Sequence, residues 1–419
     1  MADFKQAATV IRGTLGADDV QSAKQIIDMT PGLQRLYRNI DPLFRIYNAL
    51  SRNRRATNPK FNWLLKDEFP RWWYLTTSVA ASATAGATVT LIPAFTSGGS
   101  ADTKAFAVGD VIQYPNGVVS ATHTNTGVVT TVNAGVSIVV DPIGYASNGS
   151  SVDKKLTATT AGDKIVILHM AAEEYSQSPT AKVVQDTTEW NYVNFLRVPY
   201  IIGNIEKDVS QYSGPERTER REEMMRLIRL EAESNIIWGE RYKIDTGAGS
   251  AGTQYFGRGF WEYIRAGAGA NILSNWTAGF TEADLDEYLV QGPCKAGYGS
   301  DRRIWFMSTE LYLKMTELMK KKVGNLPEKN MFGLTFESYR APGGKEVLIR
   351  EHHLFSDDHE GKGLIVDPSY AEVRPYGTQG TIRLLTDIQE NDRAGIKDEW
   401  QVIFGLQLNR IEPHGIQTP

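Results

Sequence analysis

Residues 213–243 read SGPERTERREEMMRLIRLEAESNIIWGERYK, and the rest of the chain is placed from this stretch. Ser213 and Glu216 have the spacing of a capping box, in which each side chain satisfies an orphan N–H of the first helical turn. Pro215 falls in that same turn, where its missing N–H does no harm. From there to Tyr242 the only glycine is Gly239, so the spacing predicts a helix of about 28 residues, roughly 42 Å long at 1.5 Å per residue. Met225, Ile228, Ala232 and Ile236 recur at three- and four-residue steps and form one narrow apolar stripe. Glu216 with Arg220, and Glu222 with Arg226, are spaced to pair across one turn on the wet side. Such a helix is either an ordinary surface helix with a solvated face or a strut laid across another part of the protein. A coiled coil is disfavoured because the apolar heptads do not continue.

Around this helix lie 419 residues, room for two or three domains. A hydrophobic share of 41% and a charged share of 22% describe a folded chain. The formal charge of −4 excludes a protein that is basic throughout, as dedicated nucleic-acid binders usually are, but leaves room for a local basic patch. The single cysteine, Cys294, has no internal partner, so stability is expected from packing and association. The N-terminal MADFKQAATV lacks the apolar core of a secretory signal. The longest uncharged run, 78–101, is rich in Ala, Ser, Thr and Gly and broken by Pro93, too polar to span a bilayer. The expectation is a soluble protein made in a reducing compartment, without a membrane partner.

Ahead of the helix, residues 1–57 read as an N-terminal arm with short helices at 23–29 and 43–50, separated by the turn signals Thr30-Pro31-Gly32 and Asp41-Pro42. Between residues 31 and 71, nine basic residues (Arg35, Arg38, Arg45, Arg52, Arg54, Arg55, Lys60, Lys66, Arg71) face Asp41, Asp67 and Glu68. This charge suits either DNA phosphates or the acidic surface of a neighbouring subunit. Next, NPKFNWLLKDEFPRWWYL at 58–75 is dense in aromatics, which fill a core or meet a partner. From 78 to 160 charges are sparse, and β-rich runs at 110–114, 118–122, 127–132, 136–140 and 164–169 alternate with turn signals such as Pro115-Asn116-Gly117 and Asn133-Ala134-Gly135. The shift in composition predicts an inserted all-β module, a small barrel or sandwich, with ends near Trp73 and Ala172 lying close together.

Residues 192–202 read as extended. Beyond the helix comes a glycine-rich passage, 247–269, and then an α+β pattern. A helix starts at Thr281 and Asp284 and runs to Leu289. Strands follow at 303–307, 346–350, 363–366, 381–386 and 400–410, and Ser308 caps a helix through Lys321.

The chemistry in this sequence is sparse. Gly247-Ala248-Gly249-Ser250-Ala251-Gly252 matches the dinucleotide pattern in letters only, because it follows a helix where the fingerprint needs a strand before it. Neither a Gly-x4-Gly-Lys-Ser/Thr loop nor a Gly-x-Ser-x-Gly elbow occurs. His352, His353, Asp357, Asp358, His359 and Glu360 are the densest group of ligand-type residues, but they lack the i, i+4 histidines or cysteines of a zinc site, and a polar hairpin loop explains them. Asp284, Asp286 and Glu287 have the chemistry of acids and bases, yet sit in a helix's first turn, where acidic residues favour the dipole. No catalytic residue, cofactor or metal site is expected.

An N-terminal arm, a β excursion, a long helix, a mixed α+β region and returning strands resemble, in that order, the HK97-like major capsid proteins of tailed double-stranded-DNA bacteriophages. The run Asn58-Pro59-Lys60-Phe61-Asn62-Trp63-Leu64, followed by a β-rich stretch holding Val108-Gly109-Asp110-Val111-Ile112, is similar to a subgroup whose extended loop carries an inserted β-domain. The resemblance implies an α+β HK97-like fold with an arm at 1–57 and a peripheral domain at 58–79 and 173–279 holding the spine helix. It also implies an extended loop at 80–172 that overlaps the next subunit, an axial domain at 280–370, and C-terminal strands at 371–419 returning to the peripheral domain.

The implied function is a non-enzymatic major capsid protein that self-assembles into pentamers and hexamers around a double-stranded DNA genome. Its implied partners are portal, scaffolding and decoration proteins, its place is the virion, and its assembly is in the host cytoplasm. Arg52, Arg54, Arg55, Trp72, Trp73, Glu222 and Arg226 are the expected inter-subunit contacts. The lysine–asparagine crosslink of some members has no matching pair here, since no motif links Lys104, Lys154 or Lys155 to Asn391 or Asn409. Nor is there a long charged helical N-terminal segment of the kind that serves as a built-in scaffold. The rival readings are an encapsulin-like compartment, a β-rich tail adhesin with sugar-binding aromatics, and an enzyme built on His352 to Glu360.

Overall fold

The strut helix forms from Glu216 to Trp238 in a computed structural model of the chain. The structure describes residues 42–418 apart from 51–53, 83, 85, 118, 121, 145–153, 173, 175–180, 209–215, 246–251, 268, 275–279, 321–327, 332–333, 357–358 and 378–381. Ser213 and Pro215, the 23–29 helix, Arg52 and the Gly247–Ala251 part of the glycine pattern therefore lie outside the described residues.

Helices α1 (Pro42–Ala49), α2 (Asn204–Asp208), α3 (Glu216–Trp238), α4 (Phe260–Gly267), α5 (Glu282–Gln291) and α6 (Thr309–Lys320) alternate with strands in an α+β arrangement. The chain divides into two compact units, Met1–Trp63 with Thr188–Pro419, and Leu64–Thr187.

In the larger unit α3 ends at Trp238, short of the expected Tyr242. The Gly239 N–H closes the last turn on Asn235 O at 2.9 Å, and a Cβ at Gly239 would come within 2.6 Å of both Asn235 O and Gly257 O. The passing 257–259 backbone stops the helix there. The buried face of α3 is Ile228, Ala232, Glu233, Ile236 and Ile237, with Met225 only half-buried. Each of the three isoleucines contributes roughly 1.5–3 kcal/mol by burial.

This face packs on a four-stranded antiparallel sheet in which Ile396–Leu408 is central. Asn194–Ile202 pairs along one side of it, and Ala371–Pro375 and Ile382–Leu385 along the other. Helix α1 is also docked in this unit, with Leu43, Phe44, Ile46 and Tyr47 all buried, so this part of the expected arm is bound into the body.

The other sheet of this unit has seven strands, in the order Ile272–Leu273, Gly415–Gln417, Gly363–Val366, Arg302–Met307, Glu346–Glu351, Leu334–Arg340 and Glu328–Met331. Every residue of Arg302–Met307 but the first is buried, the mark of a central strand covered on both faces. Its side chains Trp305 and Met307 share a core with Leu285 and Leu289 of α5 and Leu311 and Met315 of α6. Thr281 and Asp284 cap α5 reciprocally, and Ser308 Oγ accepts from Leu311 N at 3.3 Å at the start of α6. The last strand, Gly415–Gln417, joins this sheet rather than the four-stranded one. A turn closed by His414 N to Ile411 O at 3.0 Å carries it there.

The smaller unit is a seven-stranded antiparallel sheet ordered Val89–Leu91, Ser137–Pro142, Thr126–Asn133, Asp110–Gln113, Lys164–Met170, Trp72–Leu75 and Pro93–Ala94. One side of its strands buries Trp73, Leu75, Val89, Leu91, Ile112, Val129, Ile138, Val140, Ile165 and Ile167 in a single apolar core. Trp72–Leu75 belongs to this sheet, pairing with Lys164–Val166, so the unit is wider than 80–172. Within the expected run 118–122 the described residues are loop, and the strand follows at His123–Thr124. Thr187 Oγ1 donates to Leu65 O at 3.3 Å, which brings the entry and exit of the unit together.

Candidate functional site

Most of the ionisable side chains that the fold buries in the larger unit cluster at three nodes; Arg258, paired with Glu262, and Glu372 stand apart from them. At the first, Glu233 of α3, fully buried, accepts from the N–H groups of Leu43 and Phe44 at 2.8 and 2.6 Å and meets His352 Nε2 at 2.8 Å. Since Leu354 N–H donates to His352 Nδ1 at 3.1 Å, the imidazole proton sits on Nε2 and points at the carboxylate. The carboxylate lies at the positive end of α1 and satisfies two of its orphan donors.

At the second node Asp398, also fully buried, accepts from Tyr200 Oη at 2.5 Å, Arg217 Nε at 2.9 Å, Arg221 Nη2 at 2.9 Å and Asp387 N at 2.9 Å. Burial alone would raise its pKa, but the bonds from Arg217, Tyr200, the Asp387 N–H and Arg221 outweigh it and hold the carboxyl well below the usual range. Asp387 has φ of 55°, the one positive value outside glycine among the described residues, and this turn aims its N–H at Asp398. On the neighbouring residue, Arg197 grips Glu399 through two bonds of 2.5 and 2.7 Å.

The third node joins Arg303 and Asp367, both wholly buried, at 2.6 Å. Arg303 also donates to the carbonyls of Pro293, Tyr298 and Ser300 at 3.0, 2.9 and 2.6 Å, and Lys345 donates to Lys295 O at 2.9 Å. Two cations thus pin the 293–300 loop from inside. Gly299 (φ 70°) has no space for a Cβ, which would meet the Arg303 guanidinium and Asp367. His414 Nδ1 accepts from Asp367 N at 3.1 Å, and burial pushes this imidazole down to about 3, so it is a neutral acceptor.

These nodes bind elements to one another. The expected acids are also committed: Asp284 to the α5 cap, Asp286 to Tyr339 Oη at 2.5 Å, and Glu287 to Gln291 at 2.8 Å. Among the described residues no three His, Cys, Asp or Glu side chains are grouped to hold a metal ion. His352 goes to the Glu233 node, whereas His359 stacks on Trp238 at 4.3 Å. Asp357 and Asp358 lie outside the described residues. In the smaller unit a cleft of about 350 Å³ is lined by Phe69, Arg71, Asp110, Leu168, His169 and Lys182, among others, and Lys182 already pairs with the buried Asp110 at 2.5 Å.

The residues expected at subunit contacts do not form one site. Arg54, Arg55 and Glu222 are exposed and Arg226 is half-buried, all in the larger unit. In the smaller one Trp72 and Trp73 take opposite faces of their strand. Trp72 is 43% exposed with Lys164 5.3 Å above its ring, while Trp73 is 3% exposed inside the core.

Sequence reasoning missed a different surface. On Asn194–Ile202 the outward residues include Phe195 (51% exposed) and Ile201 (61%), followed on α2 by Ile205 (86%). The edge of this strand away from Ile396–Leu408 pairs with no strand among the described residues. The alternation of residues 194–202 was the available signal, since every second residue of a half-covered strand faces outward.

Among the described residues no helix is long and apolar enough to cross a membrane. No curated protein sequence matches the chain. Among solved structures, a chain of Mycobacterium phage Cain is 11% identical, with 97% of this chain and 99% of that one covered and a TM-score of 0.47. The capsid of a native GTA particle is 10% identical, with 96% of each chain covered and a TM-score of 0.43. The holo-SrpI encapsulin of Synechococcus elongatus is 12% identical, covering 56% of this chain and 77% of that one at a TM-score of 0.40. Likeness at this level carries no residue roles across. The profile of the SU10 major capsid protein family, by contrast, matches residues 14–418. The chain belongs to that family, and is a shell-forming subunit of a viral capsid.

Proposed function

We propose that this subunit assembles on the HK97-like plan into pentamers and hexamers that close an icosahedral head around a phage's double-stranded DNA. The family match over nearly the whole chain carries this reading. In it α3 is the spine, the four-stranded sheet beside it the core of the peripheral domain, and the seven-stranded sheet with α5 and α6 the axial domain. The Leu64–Thr187 unit is the extended loop with its inserted β-domain, reaching over a neighbouring subunit. The exposed Phe195, Ile201 and Ile205 support a neighbour on that face, since apolar groups left out on a strand edge are covered on association.

Portal, scaffolding and decoration proteins are the further partners, assembly takes place in the host cytoplasm, and no catalytic step is involved. An encapsulin-like compartment is less supported, because the family that spans the chain is one of capsid proteins.

Analytical ultracentrifugation of the recombinant chain tests self-assembly: boundaries at five or six copies and above are expected, and a monomer at all concentrations counts against it. Deleting residues 66–186 and bridging Leu65 to Thr187 tests the extended-loop assignment. The remaining chain is expected to fold with its thermal midpoint little changed but to fail to close shells. Loss of all folded protein would argue against an insertion.

A further inference from the structure

Two arginines far apart in sequence are set side by side by a parallel bridge. Ala56 pairs with Tyr376, its N–H donating to Pro375 O at 2.9 Å while Gly377 N–H donates to Ala56 O at 3.0 Å. Arg54 and Arg374 each lie two residues before this bridge on their own segments, and the Arg54 charge acts on the Arg374 guanidinium. Like charges brought together repel unless an anion sits between them. Arg54 is exposed and Arg374 half-buried, and the Arg374 guanidinium carbon lies 5.6 Å from the centroid of the Phe61 ring.

The Arg374 Nε is buried without a hydrogen-bond acceptor. Among the described residues neither arginine makes a hydrogen bond or an ion pair. Burial disfavours the Arg374 cation, Glu372 on the same strand pulls the other way, and Arg54 disfavours it again.

Elsewhere in this unit several guanidiniums hold carboxylates: Arg217 and Arg221 on Asp398, Arg303 on Asp367, Arg197 on Glu399. Arg54 and Arg374 are two cations near each other, and among the described residues neither is ion-paired with a carboxylate. We infer that these two side chains form a phosphate seat for the backbone of the enclosed DNA, an assignment that rests on the reading that the shell encloses DNA. Guanidinium forks match phosphate oxygens bidentately. In the sequence Arg54 belongs to a basic run, Arg52-Asn53-Arg54-Arg55. Phosphate contacts also read no base sequence, which suits a protein that must line a whole genome.

The test is fluorescence anisotropy of a short mixed-sequence DNA duplex titrated with the full-length, unassembled chain over a series of salt concentrations. The slope of log K against log salt is expected to fall in magnitude by about one in R54Q and by about two in R54Q/R374Q, with K104Q as an unchanged control. R54Q alters an exposed side chain and carries the test even if the double variant does not fold. Wild-type binding with unaltered affinity and slope in R54Q would overturn the seat while leaving DNA contact standing. Intact DNA binding with lost assembly in R54Q would assign the pair to a carboxylate of a neighbouring copy, and also overturn it. No DNA binding by the wild type would sink the DNA reading itself, and the seat with it.

Discussion

The two units are held together by different physics. In the smaller one the sole charged side chain buried among the described residues is Asp110, and the rest of what it buries is aliphatic and aromatic apart from Ser and Thr hydroxyls. In the larger one Glu233, Arg303, Asp367, Asp398 and Glu399 are buried, and they join segments up to 202 residues apart, as between Arg197 and Glu399. An apolar sheet is specified by alternation, which is non-directional and tolerant of exchange. An ionic node is specified by geometry: it adds little net energy when whole, yet is costly to break on one side. The difference predicts that single substitutions act unequally in the two units and do not propagate between them.

The largest effect is expected from D367A, which leaves Arg303 buried without its carboxylate and costs about 3–5 kcal/mol. It would appear as a lower urea midpoint of the larger unit, and a loss below about 1 kcal/mol would show that water or a rearranged loop replaces the pairing. Next is I138A in the core of the β unit, where Ile138 is fully buried, at about 3 kcal/mol. Calorimetry should show the β unit's transition move and the other remain, and a joint shift would erase the distinction between the two units.

D398N is expected to cost about 2 kcal/mol at neutral pH through weakened charged hydrogen bonds. Its pH dependence is more telling. Because the folded-state pKa of Asp398 lies below its ordinary value, its stabilisation is complete above the unfolded-state pKa of about 4 and is lost as pH falls below that. The wild type should therefore lose stability on acidification more steeply than D398N, and parallel acid limbs would contradict the node.

What the sequence makes legible follows the same division. Alternation and turn residues mark the strands at 110–113, 126–133, 137–142 and 164–170, and the Thr281–Asp284 box and Ser308 mark α5 and α6, because these signals are local. Trp72–Leu75 was hidden by consecutive aromatics that read as one cluster, although they divide between two faces. The nodes were not legible at all. Glu233 reads as one more charge on a charged helix until Leu43, Phe44 and His352 arrive from distant segments to bury it. The nearness of Arg54 to Arg374 depends on a bridge between distant segments that no local pattern encodes, and the switch of Gly415–Gln417 to the other sheet depends on one turn.

The central claim, that this chain builds a closed shell, is met most directly by negative-stain electron microscopy of the purified protein across a range of concentrations. Rings of five or six subunits, tubes or closed shells are the predicted result. A uniform field of monomers, dimers or trimers at every concentration, with purified scaffolding protein supplied as well as without it, would contradict the account.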